Sequence, residues 1–560
     1  MSAAARSPGA PRYVIGVDVG TGSARAGLFE ADGSLLADAR RDISLWHDVP
    51  DYAEQSSAEI WRAVCACVRD VVQQAAVQPR AIAGIGFDAT CSLVVLGEGG
   101  RSLPVGAHGD PARDIIVWMD HRALDQARRI NETQHPVLSY VGGRISPEMQ
   151  TPKLLWLKEQ LPGAYHAAWR FFDLADFLTW RATGSLARSV CTVTCKWTYL
   201  AHERRWDPGY FRQIGLGDLT DDGFARIGDE IVPAGAPLGD GLTASAAAEL
   251  GLAPGTPVGA GLIDAHAGGL GSIGSRSVHG TPLTRMAYVF GTSACTMASG
   301  EEPIFIPGVW GPYFSAMAPG LWLSEGGQSA AGAAIEQLIA FHPAWPELKA
   351  RAAAEGLAPP EWCAGQAAAK SPTLSDAVRL AGPLQVVPDF LGNRSPHAEP
   401  QARALVAGLG MERDLDHLVA LYVAGVLGVG YGLRQIIDVS RARGATIEAL
   451  ALSGGAGRNP LVRQLLADCA GLPALASDGA DPVLRGAAML GAVAGGVHAN
   501  LHAAMDAMSP DAVAYEPVAG DLAQVHQQRY AAFERLERCA REAMLTDLAS
   551  PASNPQGGAL

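Results

Sequence analysis

The sequence has few cysteines, and their arrangement offers neither a disulfide framework nor a zinc site. Nine cysteines are scattered over 560 residues, and an odd number leaves at least one thiol unpaired. The pairs Cys65/Cys67 and Cys191/Cys195 lack partners at the spacing of known zinc sites. We therefore expect free thiols, no zinc, and a protein of the reducing cytoplasm.

Long apolar runs and excess positive charge are also missing. Residues 1–9 hold no apolar segment of a secretory signal. The longest uncharged apolar stretch, Leu418–Leu433, is shorter than the ~20 residues that span a bilayer. The formal net charge is −14, which disfavours nucleic acid and anionic membranes as partners. A bound polyanion would have to be held by local donors.

Two common nucleotide-binding signatures are absent. No Gly-x-x-x-x-Gly-Lys-Ser/Thr segment occurs, which excludes a P-loop enzyme. Near Gly20 the Gly-x-Gly-x-x-Gly pattern is incomplete, because Arg25 occupies its third glycine position. This argues against a dinucleotide-dependent oxidoreductase.

A glycine-rich turn near the N-terminus is the most informative stretch. The apolar run Tyr13–Val17 breaks at residues 20–23 (Gly-Thr-Gly-Ser) and resumes at Ala26–Phe29, which predicts a β-hairpin. Glycines let backbone N–H groups approach a bound anion, and hydroxyls add donors. Beside phosphates, Asp18 is better suited to hold Mg²⁺ or its waters than to touch phosphate. A plain polar turn is the alternative.

Two further glycine turns favour nucleotide binding. Residues 286–290 form an apolar strand that runs into Gly-Thr-Ser-Ala at 291–294. Residues 447–452 run into Gly-Gly-Ala-Gly at 454–457, which opens a helix and could support an adenosine. Two hairpins of this type, roughly half a chain apart, suggest two similar domains that face one nucleotide. The length of the chain agrees, since a single core stops growing near ~250–300 residues.

Polar residues at strand ends add a pocket. A buried strand, Ala81–Phe87, ends in Asp88–Ser92, and ligands gather at such ends in α/β sheets. A second small-residue strand, 258–263, delivers Asp264 into a Gly/Ala-rich turn that opens a helix. The alternative for Asp264 is a helix N-cap.

The order hairpin, hairpin and Gly-Gly-Ala turn resembles the actin/hexokinase/heat-shock ATPase superfamily and, more narrowly, the FGGY carbohydrate kinases. The resemblance covers about residues 12–500. It implies an α/β fold of two actin-like (ribonuclease H-like) ATPase domains with a catalytic cleft between them. The expected divisions are a disordered N-terminus (1–11), an N-terminal domain (12–275), a C-terminal domain (276–505) and a helical tail with a disordered end (506–560).

The resemblance implies ATP and Mg²⁺ as cofactors and gives matching residues their roles. Asp264 is the expected catalytic base, and Asp18 the expected Mg²⁺ ligand, through water. The expected substrate-binding residues are Thr90, Cys91, Lys196, Asp264 and Glu325. The expected nucleotide-binding residues are Thr21, Gly22, Ser23, Arg25, Gly291, Thr292, Gly332, Gly455, Ala456 and Asn459.

The resemblance extends to the acceptor. The Thr90-Cys91-Ser92 turn, with the segments around Lys196, Asp264, Gln328 and Arg394, is most similar to the D-ribulokinase group, which makes D-ribulose 5-phosphate. L-ribulose, ribitol, xylulose and glycerol remain alternative acceptors, because epimers differ by one or two hydrogen bonds. A non-catalytic ATP-binding module of the actin or heat-shock type is a further alternative, which the Asp264 turn disfavours. A homodimer is expected by family analogy alone.

Local patterns gave three further expectations. Residues 115–122 are predicted to be a strand ending in charge, with Asp120 as an N-cap and Arg122 as a solvated residue. The resemblance to FGGY kinases implies instead that these two residues border the sugar pocket. Lys196 is predicted to follow an apolar β run. Asp521–Leu545 is predicted to be an amphipathic helix.

Overall fold

The computed structural model describes residues 13–106, 108–477, 479 and 481–545. The segments predicted to be disordered, 1–11 and 549–560, lie outside these ranges.

The first half of the chain is built on a five-stranded sheet in the order β12-β5-β1-β2-β3. Strands β12, β5 and β1 run parallel to one another, and β2 and β3 continue the sheet with antiparallel pairing. The strands are β1 (Tyr13–Val19), β2 (Ser23–Glu30), β3 (Leu35–Asp42), β4 (Glu54–Gln55), β5 (Ile82–Ala89), β6 (Leu93–Gly97), β7 (Arg101–Ser102), β8 (Ile115–Ile116), β9 (Ala168–Asp173), β10 (Arg188–Ser189), β11 (Ile231–Val232) and β12 (Val258–Ile263). The helices are α1 (Ser57–Gln74), α2 (Leu124–Glu132), α3 (Gln150–Gln160), α4 (Pro162–Ala167), α5 (Leu174–Thr183), α6 (Val190–Trp197), α7 (Pro208–Gln213), α8 (Asp218–Asp221), α9 (Ala244–Leu250) and α10 (Asp264–Ile273).

The second half is built on a seven-stranded sheet in the order β15-β16-β14-β13-β19-β20-β21. The strands are β13 (Arg285–Phe290), β14 (Ala294–Gly300), β15 (Trp310–Phe314), β16 (Trp322–Gln328), β17 (Gln385–Val387), β18 (Leu405–Ala407), β19 (Ala449–Ser453), β20 (Ala474–Ala476) and β21 (Val513–Tyr515). The helices are α11 (Gly332–Ala340), α12 (Trp345–Ala354), α13 (Pro359–Ala369), α14 (Leu415–Ala442), α15 (Pro460–Ala470), α16 (Pro482–Ala494), α17 (Leu501–Met508) and α18 (Asp521–Leu545).

The two sheets share one topology. In each, an antiparallel hairpin (β1-β2 or β13-β14) lies beside two parallel strands that arrive later in the chain (β5 and β12, or β19 and β20). This duplication confirms the two-domain α/β architecture that the repeated hairpin predicted.

The helices α10 and α16 are exchanged between the halves. Helix α16 follows β20 of the second sheet in sequence but packs on β1, β5 and β12 of the first sheet, whereas α10 packs on β13 and β19 of the second. Close approach explains the glycines there: a Cβ at Gly16 would collide with the carbonyl oxygen of Leu484, and one at Gly86 with that of Ala487. The two helices also pack on each other, so they join the sheets.

Two local expectations were wrong. The segment around Lys196 is the helix α6 rather than a β run, because the Ser189 hydroxyl caps the helix by accepting from Cys191 N, and Asp176 accepts hydrogen bonds from Ser189 N and Thr192 Oγ1. The contacts with Asp176 override the β-branched propensity of the segment around Lys196. The second wrong expectation is the strand predicted at 115–122, which ends at Ile116.

The C-terminal segment is integrated into the second half. Strand β21 pairs with β20 at the edge of the seven-stranded sheet. Helix α18 has the bounds predicted from its periodicity, and Tyr530 and Phe533 pack into the same core as the buried face of α14.

Helix α14 alone, among the described helices, has the length and apolar composition of a membrane span. It is 28 residues long, and 72% of its most apolar 18-residue window is buried inside the protein. A Cβ at Gly428 would collide with the Val386 carbonyl oxygen, and one at Gly430 would press on Cys469. Its glycines therefore fit close packing in a core.

Candidate active site

A cleft of about 370 Å³ lies between the two halves. Both glycine hairpins and the end of β12 open into it. Its lining includes Asp18, Thr21, Gly22, Ser23, Arg25, Thr90, Cys91, Trp118, Glu148, Lys196, Asp264, Gly291, Thr292, Cys295, Trp310, Glu325 and Arg394. The predicted catalytic residue, all the predicted sugar-binding residues and both hairpins are thus brought together.

The first hairpin turns between β1 and β2. Gly20 N donates to Ser23 O at 3.0 Å, and the Thr21 hydroxyl accepts from the Trp118 indole at 2.9 Å. Gly22 is exposed at the tip. The turn therefore presents backbone and hydroxyl groups to the cleft, as an anion site requires.

Arg25 forms ion pairs with two carboxylates. It is the register partner of Asp18, and its guanidinium lies 2.6 Å from Asp18 and 2.6 Å from Asp481. Asp481 caps the N-terminus of α16 by accepting from Val483 N. Arg25 therefore anchors the hairpin to α16.

Three carboxylates meet at one end of the first sheet. Asp18 is the last residue but one of β1, Asp88 is its register partner on β5, and Asp264 directly follows β12. Asp88 is fully buried, and neither of its oxygens has a hydrogen-bond donor among the described residues. Burial, followed by the charge of Asp18, raises its pKa well above the ordinary value.

Asp264 is the least buried of these three carboxylates, and it lines the cleft together with Asp18. It begins α10, and its Oδ1 accepts from Ala265 N at 2.7 Å. Burial, followed by the charge of Asp18, raises its pKa to about 6. A carboxylate with a raised pKa at the wall of a cleft is a better base than a solvated one.

Lys196 and Glu325 form a buried ion pair in the wall of the cleft. Lys196 Nζ lies 3.3 Å from Glu325 Oε1 and 4.4 Å from the centre of the Trp310 ring. Both side chains are only 4% exposed, so water hardly screens them. Burial opposes ionisation of Glu325, but Lys196 and His266 lower its pKa to about 2.

The cleft also contains an ion pair whose position was not predicted. Arg394 lies 3.4 Å from Glu148, and its guanidinium is 5.4 Å from the centre of the Trp310 ring. Beyond this pair lies a second cavity of about 510 Å³, lined in part by Glu148, Trp310 and Arg394. The pair therefore closes one end of the cleft.

The second hairpin and the third glycine turn lie side by side, because Val289 on β13 is the register partner of Ser453 on β19. Gly332 N donates to Gly291 O at 3.0 Å, so Gly332 supports the hairpin from behind. Gly455 is exposed, and Ala456 starts a 3₁₀ turn.

Asn459 caps the helix that follows the third glycine turn. Its side-chain oxygen accepts from Leu461 N at 2.9 Å. Gly332, Gly455 and Asn459 do not line the cleft itself.

Asp120 and Arg122 do not line the cleft. Asp120 is fully buried and accepts from Ala53 N at 2.6 Å, and Arg122 donates to Glu54 at 2.9 Å. Their pairing also explains why Asp120 is not an N-cap and Arg122 is not solvated. The structure assigns them to the core beneath the pocket.

Two family models match the chain. The N-terminal domain of the FGGY family of carbohydrate kinases matches residues 13–271, and its C-terminal domain matches residues 286–495. The chain belongs to the FGGY family of carbohydrate kinases. It is therefore a phosphotransferase of the kind that uses ATP as the phosphate donor.

Similar proteins include kinases with and without a stated acceptor. The human FGGY carbohydrate kinase domain-containing protein is 48% identical, covering 89% of this chain and 91% of that protein. A D-ribulokinase of Saccharomyces cerevisiae is 38% identical, covering 86% and 72%. A ribulokinase of Anoxybacillus flavithermus is 28% identical, covering 94% of each.

The fold is also that of solved sugar kinases. A xylulose kinase from Rhodospirillum rubrum superposes with a TM-score of 0.74 at 22% identity, covering 95% of this chain and all of that chain. At this identity the similarity establishes the two-domain fold alone.

Proposed function

We propose that the FGGY kinase described here phosphorylates the terminal hydroxyl of a pentulose, and that D-ribulose is its acceptor and D-ribulose 5-phosphate its product. The observation that carries the proposal is the convergence of Asp264, the Lys196–Glu325 pair and both hairpins on one cleft. The similarity to the yeast D-ribulokinase supports the choice of acceptor.

Asp264 is the group proposed to receive the proton of the acceptor hydroxyl. Its raised pKa of about 6 still leaves it ionised at neutral pH. Phosphoryl transfer has a loose transition state, so positioning and charge neutralisation supply most of the catalysis. Asp264 therefore orients the hydroxyl first and takes its proton late.

The carboxylates at the end of the first sheet fit a divalent cation. Asp88 offers two buried oxygens without a protein donor, one strand away from Asp18, and Mg²⁺ prefers such oxygen ligands. Asp18 and Asp88 would hold Mg²⁺ or its waters. The ion would neutralise charge on the phosphates.

We assign sugar recognition to the buried polar groups in the wall of the cleft. Glu325 accepts hydrogen bonds from acceptor hydroxyls, and Lys196 donates to an oxygen. Thr90 and Cys91 line the same part of the cleft. Because these groups are desolvated, a sugar that leaves one unpaired is rejected strongly.

The hairpins are proposed to hold the phosphates of ATP. Thr21, Gly22 and Ser23 present donors from one side, and Gly291 and Thr292 from the other. The third glycine turn lies next to the second hairpin, where an adenosine attached to those phosphates would reach it.

The test is ADP release coupled to a dehydrogenase assay, with Mg·ATP and D-ribulose, L-ribulose, D-xylulose, ribitol or glycerol. We expect a kcat/KM for D-ribulose at least about tenfold above the others, since one mispaired buried group changes binding by ~1–3 kcal/mol. A preference for another acceptor would overturn the assignment to D-ribulose and leave the kinase chemistry. The D264N variant serves as the control for contaminating kinases.

A further inference from the structure

Four side chains in and behind the wall of the cleft form a network of polar contacts. Cys191 Sγ lies 3.0 Å from His266 Nδ1, and His266 Nε2 lies 3.2 Å from Glu325 Oε2. The other oxygen of Glu325 lies 3.3 Å from Lys196 Nζ. Lys196 and Cys191 belong to the same helix, α6. All four side chains are buried. This network joins α6, α10 and β16, and hence both halves of the protein.

Cys191 has a second contact that reaches the proposed base. The backbone N–H of Ile263 donates to Cys191 Sγ at 3.4 Å. Ile263 is the last residue of β12, and Asp264 follows it directly. One sulfur atom therefore contacts the backbone that delivers the base and the imidazole that holds Glu325.

We propose that Cys191 is a positioning residue for phosphoryl transfer, which fixes Asp264 through Ile263 and Glu325 through His266. The inference rests on the roles proposed above for Asp264 and Glu325. Cys191 itself does not line the cleft, so it acts through these two neighbours and does not touch substrate.

The chemistry of the pair explains why a sulfur suits this position. Burial raises the pKa of the Cys191 thiol, but the hydrogen bond from Cys195 and the charge of His266 outweigh it and lower the value to about 5. Burial lowers the pKa of His266, but Cys191 and Glu325 outweigh it and raise the value to about 10. Both shifts favour a pair of thiolate and imidazolium, and the ring nitrogens face the two anions, Nδ1 towards Cys191 and Nε2 towards Glu325.

Cys195 lies one helical turn from Cys191 and completes a group of three soft donors. The ligand atoms of Cys191, Cys195 and His266 lie within 4.8 Å of one another. Structural zinc sites use four protein ligands, and the described residues supply three here. The second nitrogen of His266 is held by Glu325. The group therefore fits a hydrogen-bonded ion pair better than a tetrahedral metal site.

Cys195 also provides the matched control. Its sulfur is 3.9 Å from His266 Nδ1, it is as buried as Cys191, and it lies on the same helix. The variants C191A and C195A thus remove the same volume from the same core. They differ in two contacts. Ile263 N donates to Cys191 Sγ, and Cys191 Sγ lies closer to His266 Nδ1 than Cys195 Sγ does, 3.0 Å against 3.9 Å.

The experiment compares kcat, KM for the sugar, KM for ATP and the midpoint of thermal unfolding among wild type, C191A, C191S and C195A. For C191A we expect kcat to fall about tenfold to a hundredfold and the sugar KM to rise several-fold, because small misplacements of reacting groups have effects of this size. The KM for ATP should stay within about twofold. C195A keeps the contacts of Cys191 to Ile263 and His266, so its kcat and sugar KM should change clearly less than those of C191A, within about threefold, while its thermal stability falls by a similar amount.

C191S adds a second variant that keeps a small polar group without an ionisable thiol. We expect its kcat and sugar KM to lie between those of wild type and C191A, since serine can accept from Ile263 N but cannot pair with an imidazolium as an anion. If wild type is active, equal values of kcat and sugar KM for C191A and C195A would overturn the inference. So would stoichiometric zinc in the wild type that is lost in C191A. A wild type inactive on every sugar would instead overturn the proposed function.

Discussion

Asp18 and Asp88 are register partners on adjacent parallel strands, and both carboxylates are buried. Arg25 pairs with Asp18, but no cation of the described residues pairs with the fully buried Asp88, so ionising Asp88 beside Asp18 is costly. The two carboxylates share either a proton, held by Asp88, or a divalent ion. The two cases predict different behaviour of an isosteric variant.

The D88N variant separates the two cases. Asparagine imitates a protonated aspartic acid, so D88N is nearly neutral if Asp88 only shares a proton. If Asp88 helps to hold Mg²⁺, we expect the Mg²⁺ concentration for half-maximal rate to rise about tenfold, equivalent to ~1.4 kcal/mol. Initial rates against free Mg²⁺ at saturating ATP measure this. An unchanged Mg²⁺ curve would remove Asp88 from the ion site.

The D264N variant tests the base. We expect kcat to fall about 10²- to 10⁴-fold, the usual contribution of a positioned acid or base. Binding of ATP and of the sugar, measured by calorimetry, should change little, because the amide keeps the volume. Near wild-type turnover in D264N would show that Asp264 is not the base.

The pH dependence should carry the signature of Asp264. The base must be ionised, and its pKa is raised to about 6. Activity is therefore complete above that value and falls as the pH drops through it. Bound Mg²⁺ would move the limb of kcat/KM to lower pH. A limb near pH 8 would point to a different group.

The Glu148–Arg394 pair should affect both stability and sugar binding. Burial raises the pKa of Glu148, but Arg394 and His121 outweigh it and lower the value to about 2. Replacing Arg394 by alanine leaves a buried carboxylate without its main cation, a loss of about 3 kcal/mol. We expect a lower thermal midpoint and a higher sugar KM for R394A.

A double variant separates the two effects of R394A. E148Q/R394A removes the uncompensated charge, so its thermal midpoint should recover relative to R394A. Its sugar KM should stay high, because the end of the cleft remains open. Recovery of both quantities would show that Arg394 acts on stability alone.

Features encoded within short segments could be predicted from the sequence. The two hairpins and the Asp264 turn depend on local glycines, hydroxyls and β runs, and the structure places them at one cleft. Asp88 was seen as part of a strand-end turn, but its position beside Asp18 depends on the pairing of β1 with β5. A search for acidic residues at the ends of parallel strands could have found it.

Features that depend on distant contacts could not be predicted in this way. His266 meets Cys191 across 75 residues, and Arg394 meets Glu148 across 246. The helix α6 was predicted as a β run because its propensity is that of a strand, whereas Asp176 and a cap decide its conformation. No pattern within the segment signals these partners.

The exchange of α10 and α16 bears on how the chain can be divided. A fragment ending near residue 275 would lack the helix that covers Gly16 and Gly86, and so would expose the face of its own sheet. The remaining fragment would lack α10 and be exposed in the same way. Neither fragment should be soluble alone, although the two should reconstitute an active enzyme when produced together.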